Sequence, residues 1–399
     1  MSRVPSRRIL LVLLAMLCAG ARSQQTVDYQ RLHRDALVID THNDVVQRIL
    51  AGEDISQRTS HGQSDLPRFI EGGLDAEFFS IWVPPGKSRL SYKAQADRQI
   101  DSVLSFVHRN PDRVAFATSS SEVTRYAAEG KFVAMLGMEG GHPLENNLGN
   151  IDYFYKRGVR YITLTWNNSV PWATSARDEN DPKRHLRHKG LTPFGKDVVR
   201  RMNDLGIIVD VSHVGQQTFW DVLHTSRKPV IASHSSVWSL CHHWRNLTDD
   251  QLKAIARNGG VVCVNFAPFF IDSTFTAKEA QMRARNKSRI ARFEKTLKGD
   301  EFIKELYTAE FLKSEYDSIR PPLSCLIDHI DYIARLIGSD HAGIGSDFDG
   351  IYITPKGMDD VTFLPAITRE LLKRGYKENE IKNILGENVL RVLRENEKK

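Results

Sequence analysis

The sequence predicts a (β/α)8 barrel, and three features of its 399 residues say so. Eight short apolar runs recur along the chain. They are near-continuous in Val, Ile, Leu and Phe rather than alternating, as strands buried on both faces of a parallel sheet read. Helical patterns separate most of them, and alternating strand and helix is the signature of a parallel α/β architecture. No GxGxxG follows the first run, so the open doubly wound sheet lacks its usual phosphate-binding support.

Before the first run, residues 1–23 read MSRVPSRRILLVLLAMLCAGARS. A basic stretch leads into an apolar run at 9–19, then small residues with Ala21 and Ser23 in an A-x-S pattern. This is the layout of a secretory signal peptide, and the run is too short to span a bilayer. Ser6-Arg7-Arg8 followed by Ile9-Leu10 also resembles a twin-arginine signal. Cys18 follows Met16-Leu17, too bulky for a good lipobox. A secreted or periplasmic protein is expected, with residues 24–399 forming one barrel domain. The end of the chain, RENEKK, carries no hydrophobic tail, so no membrane anchor is expected after signal cleavage.

The strands are expected at 36–40, 76–83, 132–139, 159–166, 207–213, 229–234, 260–266 and 342–349. Helical patterns between them include 195–205 and 248–258, the second opened by Thr248 as N-cap with Gln251 three residues on. The stretch 272–322 breaks the rhythm. It is dense in Lys, Arg and Glu, far longer than a normal connection, and reads as a helical insert, either a lid over the barrel mouth or a solvated cover. Amphipathic helices at 364–372 and 378–395 close the fold.

Composition narrows the function. With 41% hydrophobic and 26% charged residues, the chain is neither disordered nor fibrous and can bury a full core. The net charge of +6 includes four arginines within 1–23, and no Lys/Arg block tracks phosphates, so no nucleic-acid partner is expected. Cys241, Cys263 and Cys325 remain after the signal, an odd and sparse set that argues against a disulfide framework.

Groups able to bind a metal sit where these strands end. The first run leads into His42 and Asp44, two apart and so on one side of an extended chain. The third ends at Glu139, beside glycines; the fifth at His213; the sixth at His234; the eighth at Asp347 and Asp349. Each alone has a bland reading as a hydrogen-bonded strand end. In a parallel barrel, however, all C-terminal strand ends open on one face, where active sites lie. His42, His213 and His234 with the carboxylates of Asp44, Glu139 and Asp347 suit zinc or a similar ion rather than calcium or magnesium. They are too many for one tetrahedral ion and fit two ions sharing a bridging carboxylate.

The segments VIDTHND, GMEGGHPLE, YITLTW, GLTPFGKDVVRRMNDLGIIVDVSH, IASHSS, WRNLTDD, GIGSDFDG and GENVLRV together resemble the membrane dipeptidase (renal dipeptidase) family of dinuclear zinc peptidases, over about 35–393. The resemblance implies that His42 and Asp44 hold a first zinc, His213 and His234 a second, and that Glu139 bridges both. It implies Asp347 as catalytic acid/base and Arg245 as the partner of the substrate's terminal carboxylate. It also implies a barrel fold, a small peptide substrate with tolerance of a C-terminal D-residue, β-lactam hydrolysis, and homodimers, with no interface residue identified. One departure stands out. The family often has a histidine where this chain has Trp166, and an indole cannot replace an imidazole acceptor. The long insert and the lack of an anchor signal look more like secreted or periplasmic bacterial members than the anchored animal enzymes.

The chemistry expected is hydrolysis by metal-activated water, with Asp347 moving the proton and Arg245 clamping a carboxylate. No GxSxG nucleophile elbow is present. The alternatives are another barrel metallohydrolase, such as a deaminase, lactonase or phosphotriesterase, or a non-catalytic secreted binding protein. Several of the former bridge their metals with a lysine, where this chain matches with Glu139. The latter would be expected to have lost a ligand or Asp347. His142 reads as structural. His185, His188, His242 and His243 read as loop residues, and Asp349 as a loop-organising carboxylate. Trp166 and Trp172 read as pocket or packing residues.

Overall fold

In a computed structural model the chain is described at residues 27–297 and 301–398. The expected export signal at 1–23 lies outside the described residues.

Nine parallel strands are present among those residues: β1 (Ile39–Asn43), β2 (Ala76–Trp82), β3 (Val114–Phe116), β4 (Phe132–Glu139), β5 (Val159–Thr163), β6 (Ile208–Asp210), β7 (Ile231–Ala232), β8 (Val261–Val264) and β9 (Ala342–Ile344). Eight of them close a barrel in the order β1-β2-β4-β5-β6-β7-β8-β9, with β9 returning to β1. The fold is therefore a (β/α)8 barrel. β3 is the strand the sequence pattern does not reveal. It pairs with the first three residues of β4, whereas β5 takes the last four. Three residues are too few to stand out as an apolar run.

Seven of the eight expected runs contain a barrel strand and the first, 36–40, overlaps β1 only at Ile39 and Asp40, while several strands stop early. The run at 207–213 is strand only over Ile208–Asp210, and that at 342–349 only over Ala342–Ile344. The remaining apolar residues are buried in the turns that carry the site.

Two layers of apolar side chains hold the barrel. Inside lie Ile39, Phe78, Met135, Tyr161, Ile208 and Cys263, and the floor is closed by Val389, Val392 and Leu393 of the helix Asn388–Asn396. The Tyr161 ring fits only because its neighbour is Gly137; a Cβ there would run into it. Outside, Phe79, Ile81, Leu136, Ile162 and Val209 face the helices. Those helices have the expected ends. Thr248 and Gln251 form a reciprocal capping box, and Gly206 closes the helix Pro193–Leu205 at φ 86°.

Between β8 and β9 the chain forms the helices Phe275–Glu294, Glu301–Phe311 and Lys313–Asp317. They pack on their own small core, including Phe275, Met282, Leu312 and Tyr316. Tyr316 and Tyr352 both donate to Glu279 Oε1, at 2.6 and 2.9 Å, tying this layer to the loop after β9. No helix among the described residues is long and apolar enough to cross a membrane.

Candidate metal centre

The barrel brings His42, Asp44, Glu139, His213, His234 and Asp347 together at the C-terminal ends of its strands. His42 reaches the interior through an irregularity. Asp40 pairs with Glu77 but Asn43 pairs with Phe79, so β1 carries one extra residue between them. Ile39 faces inward, and strict alternation would turn His42 outward. The bulge re-aims it, and the His42 ring lies 3.9 Å from that of His234.

Glu139, the last residue of β4, divides its two oxygens. Oε2 lies 3.6 Å from His42 Nε2, which in turn lies 3.4 Å from Asp44 Oδ2 and 4.0 Å from Asp347 Oδ1. Oε1 lies 2.9 Å from His213 Nε2 and 3.5 Å from His234 Nε2. One carboxylate thus faces two clusters. His213 and Asp347 sit in left-handed backbone, at φ 64° and 63°. Such geometry in a non-glycine residue is strained and concentrates at functional sites.

The far nitrogen of each imidazole is committed. His42 Nδ1 donates to Tyr161 Oη at 2.9 Å, since that hydroxyl gives its own proton to Thr41 O at 3.0 Å. His213 Nδ1 donates to Asn167 Oδ1 at 3.0 Å. His234 Nδ1 donates to Ser233 Oγ at 2.8 Å, whose proton goes to Asp210 Oδ2 at 2.6 Å. Each Nε2 is therefore the atom left to face the carboxylates. Two groups, His42–Glu139–His234 and His42–Asp44–Asp347, each bring their ligand atoms within 4.8 Å of one another.

The electrostatics call for a cation. Burial holds His213 down to about 3, with Arg245 adding to it, and burial likewise holds His234 well below its ordinary value. His42 runs the other way. Despite burial, Tyr161 and the carboxylates of Glu139 and Asp44 pull it well above the usual range. His42 Nε2 is buried without a hydrogen-bond partner among the described residues. Buried nitrogens beside carboxylates fit divalent metal ions. Burial also pushes the Asp347 carboxyl up to about 8, against the pull of His42 and with Asp44 and Glu139 adding to it. Asn265 Nδ2 donates to its Oδ2 at 2.8 Å.

Arg245 forms the wall above His234. It is buried, donates to His234 O at 3.1 Å and Ser235 Oγ at 3.3 Å, and lies 5.5 Å from the Phe270 ring. Its Nε has no partner among the described residues, and burial lowers it to about 10. A desolvated guanidinium of this kind is built to receive an anion.

Asp44, Glu139, His213, Arg245 and Asp347 line one cleft of about 250 Å³, open to solvent, with an aromatic wall that includes Trp82, Trp166, Trp244 and Phe269, while His42 and His234 lie buried behind it. Trp172 lies outside it, packed on Gly141 and Phe194. His142 accepts from Asn168 at 2.7 Å, and Asp349 ties Gln63 and Arg48 together, so both organise loops. The sequence pattern misses Trp82, His243, Trp244 and Phe269. Trp82 had a signal, since it ends β2 as Glu139 ends β4. His243 and Trp244 lie in a loop and Phe269 in the one-turn helix Pro268–Ile271, all too short to show a periodicity that points inward. No described residue of 272–322 lines the cleft; the insert supports its wall through Tyr352, whose ring lies 6.1 Å from that of Phe269.

A family model described as membrane dipeptidase (peptidase family M19) matches residues 27–399. Three solved structures are similar over nearly their whole length. A probable dipeptidase, PvdM, from Pseudomonas aeruginosa shares 28% identity at a TM-score of 0.76, covering 92% of this chain and 97% of that one. A dipeptidase described as an M19 metallo peptidase shares 26% at 0.73, covering 90% and 98%. A metallo peptidase from Rhodobacter sphaeroides, liganded with a phosphinate mimic of the dipeptide L-Ala-D-Ala, shares 25% at 0.73, covering 90% and 99%.

Proposed function

The chain belongs to the membrane dipeptidase family and is a metallo-dipeptidase, and we propose that it uses two zinc ions to hydrolyse dipeptides whose C-terminal residue is of either hand, outside the cytoplasm. The observation that carries the two-ion reading is the divided carboxylate of Glu139, with one oxygen toward His42 and the other toward His213 and His234. In this reading His42 and Asp44 hold one ion, His213 and His234 the other, and Glu139 both. Zinc is favoured by three imidazoles in one donor set. Held by these residues, such a pair would supply a nucleophilic water at neutral pH and Lewis-acid stabilisation of the scissile carbonyl.

The protein's own groups do the rest. Asp347, which faces His42 across the centre and is oriented by Asn265, accepts a proton from the attacking water and passes it to the leaving amine. Arg245 binds the free carboxylate of the substrate. Its place in the wall sets the length limit, because a longer peptide would have to continue through it. The Rhodobacter relative's L-Ala-D-Ala mimic supports including D-residues. The export reading rests on residues 1–23.

The test is metal content of the purified protein together with amino-acid release from L-Ala-L-Ala and L-Ala-D-Ala. About two zinc per chain and chelator-sensitive release of both are expected. One ion or none after zinc is resupplied would overturn the two-zinc reading, and an untouched D-dipeptide would restrict the substrate. Arg245→Ala should raise KM roughly a hundredfold, as expected for loss of a charge-assisted bidentate contact. N-terminal sequencing of the exported protein should begin after Ser23.

A further inference from the structure

We propose that Trp82 and Trp166 form the seat for the side chain of the substrate's C-terminal residue, so that the enzyme selects dipeptides ending in a bulky apolar residue. This rests on the dipeptidase reading above.

The two indoles frame Glu139 from either side. Trp82 pairs with Glu139 in register across β2 and β4. Thr163 pairs with Glu139 across β4 and β5, and Trp166 follows three residues later. Their ring centroids lie 5.0 Å apart, tilted by 59°. Both side chains are only partly buried, and both line the cleft. The remaining lining divides between charged or metal-facing groups, including Asp44, Glu139, His213, Arg245 and Asp347, and a second apolar wall of Trp244, Phe269, Phe270 and Ile351. An exposed apolar surface inside such a cleft is favourably covered only by an apolar group.

The position of the seat relative to Arg245 assigns the residue. Arg245 bonds the carbonyl of His234. The His234 ring lies 4.9 Å from that of His213, and the His213 ring lies 6.4 Å from that of Trp166. The path from clamp to indole thus runs along the His234–His213 side. Asp44 and Asp347 stand with His42 at the other end of Glu139. A residue whose carboxylate meets Arg245 therefore directs its side chain along the His234–His213 side, toward Trp166. The amino-terminal residue lies toward Asp44 and Asp347.

A side chain of leucine size covering the two rings should raise kcat/KM roughly tenfold or more over glycine, the usual worth of apolar groups in a specificity pocket. A polar side chain would lose water there and gain no partner.

The test is kcat/KM of the zinc-loaded enzyme for two series, L-Ala-X and X-L-Ala, with X being Gly, Ala, Leu or Phe. Wild type is expected to rise at least tenfold from Ala-Gly to Ala-Leu. In Trp166→Ala that ratio should fall to about threefold or less, while Trp166→Phe keeps most of it and the X-Ala profile retains its shape. Trp82→Ala, at the end of β2 on the other side of β4, should flatten the same series and stands in if Trp166→Ala does not fold. A ratio near one in wild type, a ratio that survives both alanine variants, or a change confined to the X-Ala series would overturn the proposal. Wild type that releases nothing from any dipeptide would instead overturn the dipeptidase reading itself.

Discussion

The Nε2 atoms of His213 and His234 stand 2.8 Å apart, and both lie within 3.5 Å of Glu139 Oε1. The opposite nitrogen of each ring already gives its proton to Asn167 or Ser233. Two lone pairs in contact repel, and protonating both would place two buried positive charges against each other. A metal ion resolves this arrangement by accepting both lone pairs at once.

Removing metal should therefore destabilise the fold. Chelator is expected to lower Tm by several degrees, because metal bound only by the folded state stabilises it by mass action. Zinc should restore the loss. The imidazoles must be neutral to bind, so the gap between loaded and stripped protein should shrink as pH falls from 8 to 5.5. Thermal scans with and without chelator at each pH check this. Identical curves at pH 8 would show that no metal is held.

The hydrogen bonds behind the imidazoles should set metal affinity. Asp210, Ser233 and His234 form a chain with steps of 2.6 and 2.8 Å. Ser233→Ala removes the acceptor for His234 Nδ1 and is expected to weaken zinc binding about 10- to 100-fold. Tyr161→Phe should do the same through His42, with the ring still filling the space beside Gly137. Competition against a chromogenic chelator gives the affinity. Turnover at saturating zinc should recover most of its wild-type value, which separates weakened binding from misfolding.

The barrel was legible in the sequence because its strands are buried on both faces and so form unbroken apolar runs. That same signal places His42, Glu139, His213, His234 and Asp347 at strand ends, which is why the residues the structure gathers could be read in advance. β3 was hidden, because three residues paired to one end of β4 leave no pattern. The bulge that turns His42 inward was hidden too, since an extra residue in one strand shows only against its partner. The aromatic wall escaped for another reason. Trp82 and Phe269 look like ordinary core residues until the cleft beside them is seen.

Asp347 and Asp349 are two residues apart and should fail in different ways. Asp347 faces His42 across the centre. Asp347→Asn is expected to lower kcat by about 10²- to 10⁴-fold while the protein keeps its zinc, as loss of a general acid/base does. Asp349 accepts from Arg48 Nη1 at 3.1 Å and from the Gln63 backbone at 2.7 Å. Asp349→Asn leaves the buried Arg48 one partner short and should cost about 2–3 kcal/mol of stability, with Glu53 still paired to it. Metal analysis, steady-state kinetics and denaturant melts on both variants separate the two roles. Equal kinetic losses would place Asp349 in the chemistry as well.

Asp75 offers a stability test away from the metals. It precedes β2, at the end of the strand opposite Trp82, about 20 Å away at strand rise. Its Oδ2 accepts from Val38 N at 2.8 Å, but burial outweighs that bond and pushes the carboxyl up to about 6. In the unfolded chain an aspartate titrates near 4. Between those values the folded state holds a proton that the unfolded state has lost, so this group's contribution to stability falls as pH rises from about 4 to 6. Above that window the full penalty remains, at most about 3 kcal/mol and less where solvent screens it. Asparagine can accept the same Val38 bond without the charge. Asp75→Asn should therefore be more stable than wild type by about 1–2 kcal/mol at pH 7.5, and the advantage should vanish near pH 4. Comparing the two proteins at each pH cancels the loss of metal in acid, since Asp75 touches none of the ligands. Urea melts across that range measure the difference, and a gap that is absent at pH 7.5 or fails to close in acid would refute it.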